Sequence, residues 1–164
     1  MTAIEKQIIE SWCIHNGFML KTIAAISEEA LQSTLSTRGG RDVARQLAHL
    51  HNVRVWRLKA FAKKSTLKLT EFDKKESPCK EKLLEAFAQS GAAMEKYFGH
   101  CIEKGGVVPN FRRGVVPMLG YYISHEAHHR GNIFLTMKQS RIKIPDTLKW
   151  GIWEWNKEAS ESGQ

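Results

Sequence analysis

The fold of this chain is decided by the stretch PMLGYYISHEAHHRGNIFLTMKQ, residues 117–139. It opens with a proline, which is tolerated in the first turn of a helix because backbone N–H groups there have no intrahelical acceptor. Apolar side chains then recur at the three- and four-residue spacing of one helix face. We therefore predict a long helix over residues 117–139, whose apolar members are Leu119, Tyr122, Ile123, Ile133, Phe134 and Met137.

Three further stretches have the same spacing and predict helices over residues 3–26, 41–63 and 78–103. Thr2 and Glu5 form the pattern of a capping box at the start of the first of these helices. Ser77 is placed to cap the last of the three, with Pro78 at its first helical position. The glycine pair that begins at Gly105 is expected to end that helix.

No stretch alternates polar and apolar residues convincingly, so we predict an all-α protein. Four long helices favour an up-and-down four-helix bundle, and the length of the chain favours a single domain over residues 1–164. The connection over residues 65–77 is long enough to cross over the bundle. After Pro145, the segment DTLKWGIWEWNKEA predicts a short C-terminal helical segment, whose tryptophans are expected to pack against the bundle.

Composition narrows the class of protein. The formal net charge is +8, but basic residues are mixed with acidic ones and no nucleic-acid motif is present, so we do not expect nucleic-acid binding. No apolar run approaches the ~20 residues that span a bilayer, and the N-terminus lacks the pattern of a secretory signal. Three cysteines without a Cys-x-x-Cys pair fit reduced thiols. These features predict a cytoplasmic protein with no membrane partner.

Five of the seven histidines fall on two of the predicted helices. His125 and His129 are four residues apart, so they lie on one helix face and can ligate one ion. His128 could replace one of them but cannot comfortably join both. The second predicted helix offers His49 and His51, which lie about 200° apart around the axis, so at most one faces a shared site. Periodicity favours His51, which is nearer the centre of the apolar stripe.

The motif His-Glu-x-x-His that begins at His125 also occurs in zinc proteases, where the glutamate is the general base. The extended protease motif fails here, because its glycine is one residue early, at Gly131, and Leu135 stands where a third histidine is required. We therefore do not favour a protease, and Glu126 is interpreted as either a base or a solvated helix residue. Tyr121 is expected to pack one turn before His125, and Gly131 to permit close helix approach.

Two motifs resemble those of a known family. HEAHHRGNI resembles the His-x-x-x-His-Arg-Gly-Gln signature in the last helix of the DinB/YfiT-like family of metal-dependent enzymes, and GGRDVARQLAHLHNVRVWRL resembles the family's second helix, which carries one histidine. The resemblance implies a four-helix bundle with a divalent transition metal, nickel or zinc, held by three histidines. Carried over by position, these are His49, His125 and His129. Asn132 departs from the family's usual glutamine.

Three histidine ligands leave a coordination position open, as in catalytic rather than structural metal sites. The resemblance then implies an enzyme of the bacterial cytoplasm that acts on a small molecule, either by S-transfer with a low-molecular-weight thiol or by hydrolysis. The alternative is a non-catalytic metal-binding or dimerising bundle of a stress response. A homodimer is compatible with either hypothesis, since helical bundles readily bury flat helical faces against each other.

Overall fold

The computed structural model describes residues 1–35, 40–62 and 69–158, and within these ranges the chain is helical with only an isolated bridge between Val108 and Phe111. The predicted all-α class and the predicted C-terminal helical segment are confirmed. The helices are α1 (Ala3–Ala25), α2 (Glu28–Leu31), α3 (Val43–Ala62), α4 (Lys80–Glu103), α5 (Val115–Gln139), α6 (Asp146–Lys149), a 3-10 turn (Gly151–Trp153) and α7 (Trp155–Glu158). In the described part of the chain, no helix combines the length and the apolarity needed to traverse a bilayer.

The start of α1 follows from the predicted capping box. The Thr2 hydroxyl accepts a hydrogen bond from the Glu5 backbone N–H at 3.3 Å, and the Glu5 carboxylate accepts one from the Thr2 backbone N–H at 2.6 Å. Two backbone donors that have no intrahelical acceptor are satisfied in this way. The helix ends at Ala25, one residue before the predicted end.

The predicted start of α4 at Pro78 is wrong by two residues, because Ser77 has another partner. Its hydroxyl donates to the Asp42 carboxylate at 3.0 Å, and α4 begins after Cys79 without a side-chain cap. The second oxygen of Asp42 accepts from the Arg45 backbone N–H at 2.7 Å, which starts α3 at Val43 rather than at the predicted residue 41. One carboxylate therefore ties the starts of both helices together.

The start of α5 is also shifted by two residues, to Val115. Gly114 precedes it with φ of 84°, a left-handed conformation that glycine adopts without steric cost. Pro117 then occupies the third helical position, where its missing N–H has no intrahelical acceptor to lose. The end of α5 at Gln139 and the end of α4 before Gly105 agree with the predictions.

Two apolar clusters lie at opposite ends of the four long helices. The first cluster contains Ile8, Trp12, Leu58, Phe98, Met118 and Tyr122. The second contains Met19, Ile23, Leu47, Leu83, Phe87 and Ile133. The chain passes from the first cluster to the second in α1 and α5, and from the second to the first in α3 and α4. Since α3 and α4 are therefore parallel, the predicted up-and-down connectivity is wrong at this step.

The parallel arrangement is produced by the crossover segment, which we define as residues 69–77. It runs back along α3, in contacts that begin at His51 and end at Asp42. Asn52 forms two hydrogen bonds of 2.9 Å with the backbone N–H and C=O of Phe72, and Arg45 donates to the Lys74 carbonyl at 3.4 Å. These bonds return the chain to the starting end of α3 before α4 begins.

The C-terminal tryptophans only partly follow the prediction. The Trp155 ring lies 5.8 Å from the Phe18 ring of α1. Trp150 and Trp153 are exposed, so their predicted packing against the other helices is wrong.

Candidate metal centre

Three histidines from two distant helices converge in the groove between α3 and α5. One ring nitrogen of each of His49, His125 and His129 lies within 4.8 Å of those of the other two. The ring centroid of His49 is 5.6 Å from that of His125 and 5.2 Å from that of His129, and the last two are 4.9 Å apart. All three side chains are half-buried. The predicted ligand residues are thus brought together.

The structure also separates His49 from His51. His51 is buried on the α4 side of α3, where Nε2 donates to the Thr70 carbonyl at 3.0 Å and Nδ1 lies 3.2 Å from the Ser90 hydroxyl. Both of its ring nitrogens are therefore occupied. The periodicity argument for His51 correctly identified a buried residue, but this residue does not join the histidine cluster. The centre of the apolar stripe faces the core, and the groove with α5 lies at its flank.

The donor set fits a divalent transition metal. Three nitrogens at about 2.1 Å from one ion lie about 3.4 Å apart in tetrahedral geometry, so modest side-chain rotations bring these imidazoles into position. The Nδ1 atoms of His125 and His129 are buried and have no hydrogen-bond partner among the described residues. Buried polar atoms are seldom left without a partner. A shared cation is one way to engage these rings.

The three imidazoles are held in the neutral form that metal ligation requires. Burial lowers the pKa of His49, and Arg41 and His125 lower it further. Burial likewise lowers the pKa of His125. The pKa of His129 falls to about 4, because burial and then the neighbouring imidazoles disfavour its charged form. Protons therefore do not compete for these nitrogens near neutral pH.

Two exposed aromatic rings flank the histidine cluster. Tyr121 stacks on His125 with 5.8 Å between centroids and 7° between planes, as its position one turn earlier on α5 predicts. Trp56 meets His49 edge-on at 6.2 Å, and its indole N–H donates to Glu71. These rings restrict the rotation of the two imidazoles and border the space beside them.

Glu126 is neither solvated nor free to act as a base, so both predicted interpretations are wrong. It is only 1% exposed, and Arg54 donates from Nε and from a terminal nitrogen to its two oxygens, each at 2.6 Å. Nε2 of His15 lies 2.9 Å from one of these oxygens. Burial raises the pKa of Glu126, but the Arg54 guanidinium and the His15 hydrogen bond outweigh it and lower the pKa to about 2.

The contacts of the buried pair join all four long helices beside the candidate centre. Arg54 of α3 also donates to the Asn16 side chain of α1 at 2.8 Å, and its guanidinium lies 4.8 Å and 4.6 Å from the ring centroids of Trp12 and Phe87. Glu126 is the residue after His125, so the same contacts fix the rotation of α5 about its axis. The pair therefore positions His125 without contacting the groove.

A sequence signal for this pair existed and was missed. Arg54 continues the apolar spacing of α3, since it lies four residues from Leu50 and four from Leu58. His15 and Glu126 interrupt the stripes of α1 and α5 in the same way. Three polar residues at apolar positions on three helices indicate a buried ionic cluster, because a charge at such a position needs a partner.

The remaining predicted residues do not join the centre. His128 is exposed and lies 3.1 Å from the Asn132 amide. Gly131 has no heavy atom within 4 Å of where a Cβ would lie, so its predicted role in close helix approach is wrong. Cys13, Cys79 and Cys101 are free thiols, and burial, followed by Glu95, raises the pKa of Cys13 to about 11.

Comparison with protein-family models, with curated proteins and with solved structures finds no match to this chain. The resemblance to the DinB/YfiT-like family therefore rests on the two sequence motifs alone.

Proposed function

We propose that this protein is a metal-dependent enzyme of the DinB/YfiT-like family, in which the four long helices form a four-helix bundle with one crossover. Its metal site consists of His49, His125 and His129 and holds nickel or zinc. It acts on a small molecule in the bacterial cytoplasm, by S-transfer with a low-molecular-weight thiol or by hydrolysis. The observation that carries this proposal is the convergence of the three imidazoles.

The number of ligands favours a catalytic site over a structural one. The cluster contains three histidines, and no fourth histidine, cysteine or carboxylate joins it among the described residues. Structural zinc sites usually have four protein ligands, whereas catalytic sites have three and an open position. A divalent ion in such a site would supply Lewis-acid activation of a water molecule or a thiol.

The residues of the chain provide the ligand atoms and hold them in position. The neutral imidazoles provide lone pairs, the buried Arg54–Glu126 pair sets the rotation of α5, and Tyr121 limits the rotation of His125. Glu126 cannot accept a proton from a substrate, because both of its oxygens already accept hydrogen bonds within the interior. The proposed reaction therefore does not follow the zinc-protease mechanism, in which this glutamate is the base.

Metal analysis of the purified protein tests the site. We expect about one equivalent of nickel or zinc in the wild-type protein, and loss of that equivalent in His49→Ala, His125→Ala and His129→Ala. His128→Ala and His51→Ala are the matched controls, since His128 is exposed next to the site and His51 is on the same helix as His49. A wild-type protein that holds no metal after reconstitution, or that loses it equally in His128→Ala, contradicts the proposal.

Activity assays distinguish the proposed enzyme from the non-catalytic alternative. The metal-loaded protein is assayed with a panel of low-molecular-weight thiols and electrophiles, and with esters and amides. Turnover that disappears in His125→Ala and persists in His128→Ala supports the enzyme. Stoichiometric metal without turnover of either kind supports a non-catalytic metal-binding bundle, whose predicted dimerisation is measured by analytical ultracentrifugation.

A further inference from the structure

A cavity of about 640 Å³ lies between α3, α4 and α5 next to the histidine cluster. Five aromatic side chains line it, and they are Trp56, Phe61, Tyr97, Tyr121 and Tyr122. This volume falls in the range of cavities that enclose small organic ligands. A wall of this kind suits a molecule with an apolar body.

The cavity shares two walls with the candidate metal centre. Trp56 contacts the His49 ring, and Tyr121 stacks on the His125 ring. Val53 and Tyr121, which line the cavity, are each one helical turn from one of these histidines, a rise of about 6 Å. A molecule in the cavity that extends past Trp56 and Tyr121 therefore reaches the imidazoles.

One cation in the cavity wall lacks an acidic partner. The lining contains no aspartate or glutamate among the described residues. Lys59 is paired with Glu71 at 2.6 Å. The partners of Arg57 in the described ranges are uncharged: it donates to the Pro109 carbonyl at 3.2 Å and to the hydroxyls of Tyr97 and Tyr122. Its Nε is buried and has no hydrogen-bond partner there. A partly buried guanidinium without a counter-charge favours an anionic ligand.

Two hydroxyl groups beside Arg57 add no negative charge to the cavity wall. Burial raises the pKa of Tyr97, and burial raises the pKa of Tyr122 to about 12, although the nearby Arg57 acts in the opposite direction. Both phenols thus stay neutral near pH 7. They do not neutralise the guanidinium.

We propose that this cavity binds the substrate, and that the substrate is an amphipathic organic monoanion. Its carboxylate pairs with Arg57, its aromatic or branched apolar body lies between Trp56, Phe61 and Tyr121, and its other end points to the three histidines. A single uncompensated guanidinium matches one negative charge and the two oxygens of a carboxylate. Only the role of this molecule as substrate rests on the proposed function, since the binding site is defined without the metal.

Calorimetric titration of the metal-loaded protein tests the inference with a probe series. The probes are phenylalkanoates with two to five methylene groups, each paired with its neutral amide of nearly the same shape. We expect the best carboxylate to bind about tenfold or more tightly than its amide, as one charge-assisted pair provides. Arg57→Gln should abolish the difference and Arg57→Lys should retain part of it. The exposed Arg112→Gln is the matched control.

Two further variants locate the binding site and separate it from the metal site. Val53→Trp fills the cavity without changing its charge and should abolish binding of the carboxylates, whereas His125→Ala should change their affinity by less than about twofold. Equal affinity for every carboxylate and its amide, or an undiminished preference in folded Arg57→Gln or Val53→Trp, overturns the inference. A preference that depends on Arg57 in a protein that binds no metal preserves the cavity assignment and refutes the proposed function.

Discussion

The buried Arg54–Glu126 pair yields a quantitative prediction for the variant Arg54→Met. The two side chains are 0% and 1% exposed, and the substitution leaves the Glu126 carboxylate in the interior without its counter-charge. Removal of one partner from a buried pair costs about 3–5 kcal/mol in the free energy of unfolding. For a chain of this length that loss corresponds to a decrease in Tm of about 6–20 °C.

The pH dependence of this loss of stability distinguishes an electrostatic effect from a packing effect. In the wild-type protein the pKa of Glu126 is lowered to about 2, so its contribution to stability is present above its unfolded pKa and is lost as the pH falls toward 2. In Arg54→Met, burial is opposed by the remaining His15 hydrogen bond but no longer by the guanidinium, and we expect the pKa of Glu126 to rise above its unfolded value. The variant is then destabilised most at neutral pH and regains stability as Glu126 is protonated. The difference between the two proteins should therefore be larger at pH 7 than at pH 4.

Urea denaturation at the two pH values measures this difference, and a double mutant completes the cycle. Arg54→Met/Glu126→Leu replaces the pair with apolar side chains and should be more stable than Arg54→Met by at least about 2 kcal/mol, because no unpaired charge remains. A loss below about 1 kcal/mol in Arg54→Met, or the same loss at both pH values, would refute the reasoning. Glu126→Gln should retain bound metal, since Glu126 positions His125 but is not a ligand.

Three other predictions follow from single contacts. Metal-free protein should become easier to unfold with urea as the pH falls from 6.5 toward 4. The reason is that His129, whose pKa is about 4 in the folded protein, takes up a proton in this range only when the chain is unfolded. His129→Gln should therefore make the stability depend less on pH. Asn52→Ala should cost about 1–3 kcal/mol and speed amide exchange in the crossover segment, since it removes two hydrogen bonds. Gly91→Ala places a Cβ against the Asn16 side-chain amide and should destabilise the protein by about 1–3 kcal/mol in thermal melts, whereas Gly99→Ala has open space and should stabilise it by up to about 1 kcal/mol.

Much of the helical architecture could be predicted because helix signals are local. The apolar spacing of residues 117–139 and the capping box at Thr2 involve residues within one or two turns of each other, so they act before any tertiary contact forms. The errors at the starts of α3 and α4 have a common cause. Asp42 and Ser77 lie 35 residues apart, and their hydrogen bond takes Ser77 away from the helix that it was expected to cap.

The candidate site was predicted by two kinds of reasoning that disagreed. The four-residue spacing of His125 and His129 is a local property and places them on one face. The choice between His49 and His51 depends on which helix covers each face of α3, and that is a tertiary property. Motif resemblance selected His49, whereas periodicity selected the residue that the core covers.

The amino-acid sequence by itself determined that the chain is helical, where the long helices start to within two residues, and that two histidines share a face, because each depends on contiguous residues. Only the tertiary structure decided that α3 and α4 run parallel, that His49 completes the cluster, and that Glu126 is paired with Arg54. The physical reason is burial. A buried position in a helix can be occupied by a leucine or by a charged residue. The charged residue is stable there only if the fold places a partner from another helix within hydrogen-bonding distance.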